Sequence, residues 1–334
     1  MTNQTATPLL EVNDLRTVLH TPRGDLAAVD GVSFRLGRGE TLGIVGESGS
    51  GKSVLGRTVM GLHTTGPTKT VTGQVLFAGR DVQQLDRRAL RELWGAEIGM
   101  VFQDPMTALN PVKRVGVHLT ETLRKHRGLD RKQAKARAIE LLDLVGIPDP
   151  RRRIDQFPHE MSGGMRQRVV IAMALANEPA LLIADEPTTA LDVTVQRQIL
   201  DLLARLQKEM GMAIILISHN LGVVAGRADR VAVMYGGRIS ETAPASTLFE
   251  TPQHPYTEAL LEAIPRLEEP PHRRLAAING APPDMVRPPE GCRFAARCRH
   301  ARNDCDQELP ELVPAVHDAA HHFACFHPVN QGGR

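Results

Sequence analysis

Apolar and polar residues alternate near the start of the chain in a way that predicts strands followed by a helix. Residues 9–18 and 27–36 alternate and are rich in β-branched side chains, which is typical of two antiparallel strands joined by a turn at residues 22–25. Residues 41–45 form an apolar run of strand length, and residues 54–62 have the spacing of a helix. The chain is therefore predicted to begin with a β-hairpin and a strand–loop–helix unit.

The middle of the chain is predicted to be largely helical. Residues 73–77 and 98–103 predict two more strands, with a short charged helix at 87–93 between them. From residue 112 to residue 177 the apolar side chains recur every three to four positions, which indicates helices only. We interpret residues 112–177 as a helical subdomain, because they interrupt the alternation of strands and helices.

The alternation returns after this insert. Residues 181–184 and 213–217 predict buried strands with a helix between them, and residues 231–234 and 237–241 predict a closing hairpin. Alternating strands and helices imply an α/β fold with a mainly parallel sheet covered on both faces. After about residue 244 the chain becomes rich in proline and loses its periodicity, so we expect an appended element that does not continue the sheet.

Composition excludes several classes of protein. The chain has 334 residues, a net charge of +2 and 42% hydrophobic residues, so it carries no strongly basic footprint for nucleic acid. No apolar run approaches the roughly 18 residues that span a bilayer, and the polar start lacks a signal pattern. We therefore expect a cytosolic protein, in which the four cysteines after residue 290 suggest a metal before a disulfide.

The loop before the first predicted helix fits the phosphate-binding pattern G-x-x-x-x-G-K-S. Its residues are Gly46, Glu47, Ser48, Gly49, Ser50, Gly51, Lys52 and Ser53. Glycines let the backbone wrap a polyphosphate, Lys52 is predicted to reach the β- and γ-phosphates, and the Ser53 hydroxyl is predicted to bind Mg²⁺. The alternative is a glycine-rich turn that only caps a helix.

Two adjacent carboxylates follow the strand at residues 181–184. Asp185 is predicted to hold Mg²⁺, and Glu186 to orient and deprotonate the water that attacks the γ-phosphate. Phosphoryl transfer requires mainly an in-line nucleophile and neutralised charge, which these residues can supply. The alternative is an acidic turn that caps the next helix.

A second possible anion site lies at the start of another predicted helix. It consists of Ser162, Gly163, Gly164 and Met165. Ser162 is a natural N-cap, and the two glycines leave N–H groups exposed. One nucleotide does not need two γ-phosphate sites in one chain, so we infer that this site serves a nucleotide held by another chain, with a plain helix start as the alternative.

These motifs resemble, in order and spacing, the ATP-binding cassette of ABC transporters. The resemblance is carried by residues 46–53, Gln103, residues 161–168, Asp185, Glu186, residues 190–192 and His219. It implies a nucleotide-binding domain over residues 8–245 that hydrolyses Mg-ATP in a head-to-tail dimer. It further implies that Gln103 senses Mg²⁺, that Asp192 lies in a loop crossing the dimer interface, and that His219 contacts the γ-phosphate. Taken alone, a histidine at a strand end is more often structural.

The sequence departs from the cassette pattern at two positions. Met165 stands where the signature usually has glutamine. Arg23 stands, by ungapped counting, where many cassettes have an aromatic residue that stacks on adenine. A guanidinium can also stack on a base, so we retain Arg23 as a candidate nucleotide-binding residue.

The C-terminal part, residues 246–334, narrows the resemblance. The sequence at 254–261, the four cysteines and the Ser-Gly-Gly-Met signature are similar to those of ATP-binding subunits of oligopeptide and dipeptide importers, some of whose relatives carry nickel. The resemblance implies two membrane subunits, a second and different ATPase, and an extracytoplasmic solute-binding protein. It also implies a peripheral position at the cytoplasmic face of the inner membrane.

The four cysteines do not have the spacing of a common metal motif. Five, six and nineteen residues separate Cys292, Cys298, Cys305 and Cys325. This is neither a zinc ribbon nor a bacterial ferredoxin pattern. We favour a [4Fe–4S] cluster, partly because the resemblance allows it, with zinc or four reduced structural thiols as alternatives. The nearby histidines, His327 among them, are treated as surface residues that could replace a ligand.

The leading hypothesis is an ATP-hydrolysing subunit of a peptide-class importer. A soluble cassette ATPase acting on DNA or ribosomes is the alternative from another class, but such proteins usually join two cassettes or insert a coiled coil. An exporter half would normally carry membrane helices. The transported solute is not encoded in these motifs, so nickel or another small solute stays open.

Overall fold

The structure is a computed structural model that describes residues 7–103, 108–189, 191–264 and 278–330. In chain order, its strands are β1 (Leu10–Thr21), β2 (Gly24–Leu36), β3 (Thr41–Val45), β4 (Lys69–Phe77), β5 (Arg80–Asp81), β6 (Ile98–Val101), β7 (Leu181–Asp185), β8 (Ala213–Ser218), β9 (Arg230–Tyr235), β10 (Arg238–Pro244), β11 (Val313–Ala315) and β12 (Asp318–Phe323). Its helices are α1 (Lys52–Val59), α2 (Arg87–Ala96), α3 (Val115–Arg127), α4 (Arg131–Leu144), α5 (Pro150–Arg153), α6 (Gly163–Leu175), α7 (Val193–Met210), α8 (Leu221–Val224), α9 (Ala245–Glu250) and α10 (Pro255–Glu262). Ala190 and residues 104–107, which contribute to the resemblance, lie outside the described residues.

The chain divides into two compact units. The helical unit contains Gly37–Glu40 and Gln84–Ile217, and the loop unit contains Pro8–Leu36, Thr41–Gln83 and the chain from Ser218 onwards. The loop unit is therefore assembled from both ends of the described chain. No helix among the described ranges is long and apolar enough to cross a membrane.

The loop unit contains an antiparallel sheet in the order β2-β1-β4-β5. The predicted hairpin is confirmed: β1 pairs with β2 from Leu10 opposite Leu36 to Thr21 opposite Gly24. Buried apolar side chains such as Val12, Leu15 and Val29 alternate with more exposed residues along these strands. This alternation is the physical basis of the sequence signal, because successive side chains point to opposite faces of a sheet.

The loop unit also contains strands in the order β11-β12-β10-β9-β3. β3 runs parallel to β9, and the predicted hairpin of β9 and β10 is confirmed as antiparallel. The expectation that the C-terminal part does not continue the sheet was wrong, since β12 pairs with β10 at Glu241 opposite Phe323. The two added strands are short and partly exposed, so they carry too little periodicity to be predicted.

The helical unit contains the parallel strands β6, β7 and β8 and the predicted helical segment. Helices α3, α4 and α6 pack together through fully buried side chains such as Leu119, Leu142 and Ile171. Each such side chain contributes about 1.5–3 kcal/mol on transfer from water. β6 ends at Val101, earlier than predicted, because pairing with β7 stops there and Phe102 is exposed.

Candidate nucleotide-binding site

The phosphate loop joins the end of β3 to the start of α1, as the sequence predicted. Two of its glycines have no room for a side chain. A Cβ at Gly46 would lie 2.0 Å from the carbonyl oxygen of Met234. At Gly51, where φ is +97°, it would lie 2.0 Å from the carbonyl oxygen of Ala28. The backbone path of the loop therefore depends on glycine at both ends.

Lys52 is folded back onto the loop that precedes it. Its Nζ donates to the carbonyl oxygens of Gly46 at 2.7 Å and Glu47 at 2.8 Å, and lies 3.3 Å from Ser50 Oγ. The side chain is only 4% exposed, and carbonyl oxygens satisfy its charge. Ser48 and Gly49 are exposed at the rim, and Ser53 is half-buried in the first turn of α1. An ammonium group held in this way can be transferred to incoming phosphate oxygens.

His219 and Arg23 are both exposed residues of the loop unit. His219 follows directly after β8, at the strand end that the sequence predicted. Arg23 occupies the turn between β1 and β2, where its backbone N–H donates to Thr21 Oγ1 at 3.2 Å. The roles assigned to these two side chains remain predictions.

The helical unit places the predicted carboxylates at the end of β7. Asp185 is fully buried as its last residue, and Glu186 follows with a φ of +47°. Gln103 Nε2 donates to Glu186 Oε2 at 2.9 Å, so two residues predicted separately are brought together. Thr189 Oγ1 donates to the same oxygen at 2.8 Å. Sequence analysis missed Thr189, whose only signal was its place three residues after Glu186. A carboxylate fixed by two donors is suited to orienting a water molecule.

The signature residues begin helix α6 as predicted. Ser162 is its N-cap, and the hydroxyl accepts from the N–H of Met165 at 3.3 Å. Ser162 and Gly163 are exposed, whereas a Cβ at Gly164 would lie 2.7 Å from Val195 Cγ1. The start of α6 therefore presents backbone N–H groups to solvent, where an anion can bind.

Asp192 caps the neighbouring helix in the same unit. Its carboxylate accepts from the N–H of Val195 at 2.9 Å and its side chain is exposed. Capping accounts for an acidic residue at this position. The predicted role in a dimer interface is additional to it and stays a prediction.

The four cysteines of the loop unit are free thiols, of which Cys305 is buried and the other three are half-buried. Burial raises the pKa of Cys292 and Cys298, and raises the pKa of Cys325 to about 12. The other three thiols contribute to the raised pKa of Cys325, because neighbouring thiolate charges repel one another, so the four lie near one another. Backbone N–H groups of His300 and Arg302 lie 3.4 Å and 3.5 Å from the sulfurs of Cys298 and Cys305. A group of neighbouring thiols is stabilised when a metal ion replaces their protons.

A second set of possible ligands overlaps with the cysteines. One ligand atom each of Asp304, Cys305 and His327 lies within 4.8 Å of the other two. His327 Nε2 is 2.7 Å from Asp304 Oδ2. The position of His327 beside Cys305 agrees with the expectation that a nearby histidine could replace a cysteine as a ligand.

Together, the strand–loop–helix unit, the fixed carboxylate and the capped signature helix define a P-loop ATPase of the ABC type. The family model described as "ABC transporter" matches residues 29–189. The model described as "Oligopeptide/dipeptide transporter, C-terminal region" matches residues 240–305. The fold class predicted from the sequence is confirmed, and the protein is an ATPase.

Similar proteins that align with nearly the whole chain show which kind of ABC ATPase it is. The chain is 54% identical over 305 residues to the oligopeptide transport ATP-binding protein OppD of Bacillus subtilis (strain 168), covering 91% of this chain and 85% of that protein. It is 50% identical over 302 residues to the dipeptide transport ATP-binding protein DppD of the same organism, covering 90% of each chain. The identity to OppD of Salmonella typhimurium is 49% over 328 residues, which cover 98% of this chain and 96% of that protein. The chain therefore belongs to the family of ATP-binding proteins of oligopeptide and dipeptide ABC transporters.

Solved structures agree with the fold of an ABC cassette. The chain is similar, with a TM-score of 0.63 and 27% identity, to a dimeric post-hydrolysis state of the ATP-binding cassette MJ0796 bound to ADP and phosphate. The match covers 71% of this chain and 98% of that chain. A second structure, CbiO1 from Clostridium perfringens, is part of the ABC transporter complex CbiONQ; it matches with a TM-score of 0.62 and 30% identity over 73% of this chain and 91% of that chain.

Proposed function

We propose that this chain is the ATP-hydrolysing motor subunit of an importer of di- or oligopeptides. The observation that carries the proposal is the similarity to peptide-transport ATP-binding proteins over 98% of the chain, through both the cassette and the C-terminal region. The phosphate loop, with Lys52 and Ser53, binds Mg-ATP. Asp185 and Gln103 contribute to Mg²⁺ binding, and Glu186 orients the attacking water.

The motor works as one half of a head-to-tail dimer with a second, homologous ATPase. Ser162 to Met165 contact the nucleotide held by that partner, while Asp192 and His219 contribute at the interface and the γ-phosphate. The capped, solvent-facing start of α6 supports this role, because exposed N–H groups favour a phosphate. ATP then closes the dimer and hydrolysis reopens it, which is a population shift driven by the higher affinity of the closed state for ATP.

The partners follow from the same family. Two membrane permease subunits carry the solute, an extracytoplasmic binding protein delivers it, and this chain lies at the cytoplasmic face of the membrane. Residues 8–245 form the nucleotide-binding domain, and residues 246–334 form the extension typical of peptide importers. The absence of a spanning helix among the described residues is compatible with a peripheral subunit.

We further propose that the four cysteines hold a [4Fe–4S] cluster. Four mutually close thiols, with backbone N–H groups near two of the sulfurs, fit the donor set that such clusters require. When bound, the cluster would tie Cys292, Cys298, Cys305 and Cys325 to one point. Iron, acid-labile sulfide and zinc should be measured in protein purified without oxygen. Iron and sulfide in equal amounts would support the cluster. One zinc per chain would show instead that the cysteines bind a zinc ion.

The function is tested in the assembled complex. The tagged chain should co-purify in mild detergent with two membrane subunits and a second cassette ATPase. Peptide-loaded binding protein should stimulate ATP hydrolysis by this complex in lipid vesicles, and Glu186→Gln should abolish the stimulation while ATP still binds. Stimulation by nickel-loaded but not by peptide-loaded binding protein would make nickel the solute. Purification of the chain alone or with ribosomes would refute transport.

A further inference from the structure

One residue of the phosphate loop is held by the C-terminal part of the chain. The N–H of Glu47 donates to the hydroxyl of Tyr256 at 2.8 Å. The Glu47 carboxylate accepts two bonds from the guanidinium of Arg297, at 2.6 Å and 2.9 Å. Glu47, Tyr256 and Arg297 all belong to the loop unit, although 209 and 250 residues separate the two C-terminal residues from Glu47. We refer to Tyr256 and Arg297 as the C-terminal clamp.

Every N–H group of the Arg297 guanidinium has an acceptor. Besides the two bonds to Glu47, Nη1 donates to the Tyr235 hydroxyl at 3.1 Å, Nη2 to the carbonyl oxygen of Ile278 at 3.0 Å, and Nε to that of Asn279 at 2.9 Å. A guanidinium has five N–H donors, and five bonds use them. Its side chain is only 5% exposed, so this position tolerates a cation only because the partners are complete.

Tyr256 is the second fixed point. Its side chain is fully buried, and its ring packs against those of Tyr235 and Phe294 with centroids 4.5 Å and 5.2 Å away. Aromatic packing of this kind restricts the ring, so the hydroxyl has little freedom to leave the N–H of Glu47.

Glu47 is hydrogen-bonded to residues of the loop that are predicted to bind phosphate, so the clamp also restrains those residues. Its carbonyl oxygen accepts from Lys52 Nζ at 2.8 Å and from the N–H of Ser50 at 3.2 Å. A shift of Glu47 would therefore move the ammonium group of Lys52. In addition, an unpaired carboxylate in the loop would repel a polyphosphate, and Arg297 neutralises it.

We propose that Arg297 and Tyr256 are positioning residues for ATP binding, acting through Glu47. The proposal rests on the proposed role of the phosphate loop. The C-terminal clamp holds the backbone of the phosphate loop in its binding conformation before ATP binds. It also neutralises the negative charge of Glu47, the only carboxylate in the loop. ATP binding therefore does not have to order the loop or overcome this charge.

The test uses the purified transporter complex and measures the dissociation constant of Mg-ATP together with kcat and KM. We expect Arg297→Gln and Tyr256→Phe to raise the dissociation constant and KM by about tenfold or more, since each removes hydrogen bonds on a fixed loop. We expect kcat at saturating ATP to change less than about threefold, because the clamp does not contact the reacting atoms. Arg299→Gln is the matched control, because it removes another arginine–glutamate pair whose glutamates, Glu258 and Glu262, lie on α10 and not in the phosphate loop.

A double variant separates positioning from general folding. In Arg297→Gln the lone Glu47 carboxylate repels ATP, so adding Glu47→Gln should restore at least part of the affinity. A simple loss of packing would instead make the double variant as weak as Arg297→Gln or weaker, and this result would overturn the proposal.

A third variant distinguishes failure of the clamp from failure of the loop. If Lys52→Ala loses ATP binding while Arg297→Gln and Tyr256→Phe bind like wild type, the loop assignment holds and the clamp is refuted. If Lys52→Ala binds ATP normally, both are refuted. If Arg297→Gln does not fold, Arg297→Lys takes its place. The lysine keeps the charge but loses the paired geometry, so a smaller rise in KM is expected, and an unchanged KM would overturn the proposal.

Discussion

Lowering the pH should reduce the free energy of unfolding of the loop unit through His254, the N-cap of α10, which lies two positions before Tyr256. His254 is 3% exposed, and its Nδ1 accepts from the N–H of Tyr256 at 3.0 Å. This bond requires a lone pair on Nδ1. Burial lowers the pKa of His254 to about 4, although the charge of Glu241 raises it in part. The Glu241 carboxylate also accepts a hydrogen bond from His321 Nε2 at 2.6 Å, so it interacts with His321 as well as with His254.

The magnitude follows from proton linkage. A histidine in an unfolded chain has a pKa near 6.5. Between about pH 6.5 and pH 4, His254 is therefore protonated in the unfolded chain but not in the folded one. The contribution of His254 to the free energy of unfolding is therefore fully present above about pH 6.5, and it is lost as the pH decreases through this window. At about 1.4 kcal/mol per pH unit, the full loss is on the order of 3 kcal/mol, and about 2 kcal/mol of it is reached by pH 5. This is a large share of a typical stability of roughly 5–15 kcal/mol.

The assay is urea unfolding at pH 7.5 and pH 5, followed by circular dichroism. His254→Asn keeps a cap acceptor for the N–H of Tyr256 but does not titrate. Wild type should lose about 2 kcal/mol more than this variant between the two pH values. The matched control is His317→Asn on an exposed turn. Equal losses in wild type and His254→Asn would refute the reasoning.

Three further perturbations test particular contacts. Gly46→Ala should raise the KM for ATP more than about tenfold and lower the thermal midpoint, because its methyl group would meet the Met234 carbonyl; an unchanged KM contradicts the loop geometry. Thr189→Val should lower kcat about tenfold with little change in KM, since Glu186 loses one of its donors; full kcat would show that this bond is dispensable. Asp192→Ala should cost about 1 kcal/mol in urea unfolding and Asp192→Asn much less, and equal losses would contradict the capping role.

Local patterns predicted the elements that carry the nucleotide motifs. Strands β3, β7 and β8 are short, fully buried and bounded by turn residues, and α7 has a continuous apolar face, so each has a strong local signal. Ser162 was predicted as an N-cap from its residue type alone, and the structure bears this out. Local physical chemistry is sufficient at these positions, because the decisive interactions lie within a few residues.

Contacts between distant parts of the chain were not predictable in this way. The sequence around Arg297 does not distinguish it from other arginines of the C-terminal part. Its role depends on Glu47, which the fold brings beside it. The pairing of β12 with β10 was missed for the same reason, because the two strands are far apart in the sequence. The residues of β12 are also mostly exposed or half-exposed and carry no clear period. Thr189 has a role only because the backbone turns at Glu186 and directs its hydroxyl to that carboxylate.

The order of residues in the loop unit has a consequence for biosynthesis. A ribosome makes Glu47 early and Arg297 only 250 residues later, which takes roughly 12–50 s at ~5–20 residues per second. For that interval the nascent loop has its carboxylate but no arginine to pair with it. Newly made chains should therefore acquire full ATP affinity only after Arg297 has been made. A product truncated before Arg297 would then have a complete phosphate-binding sequence and yet compete poorly for cellular ATP.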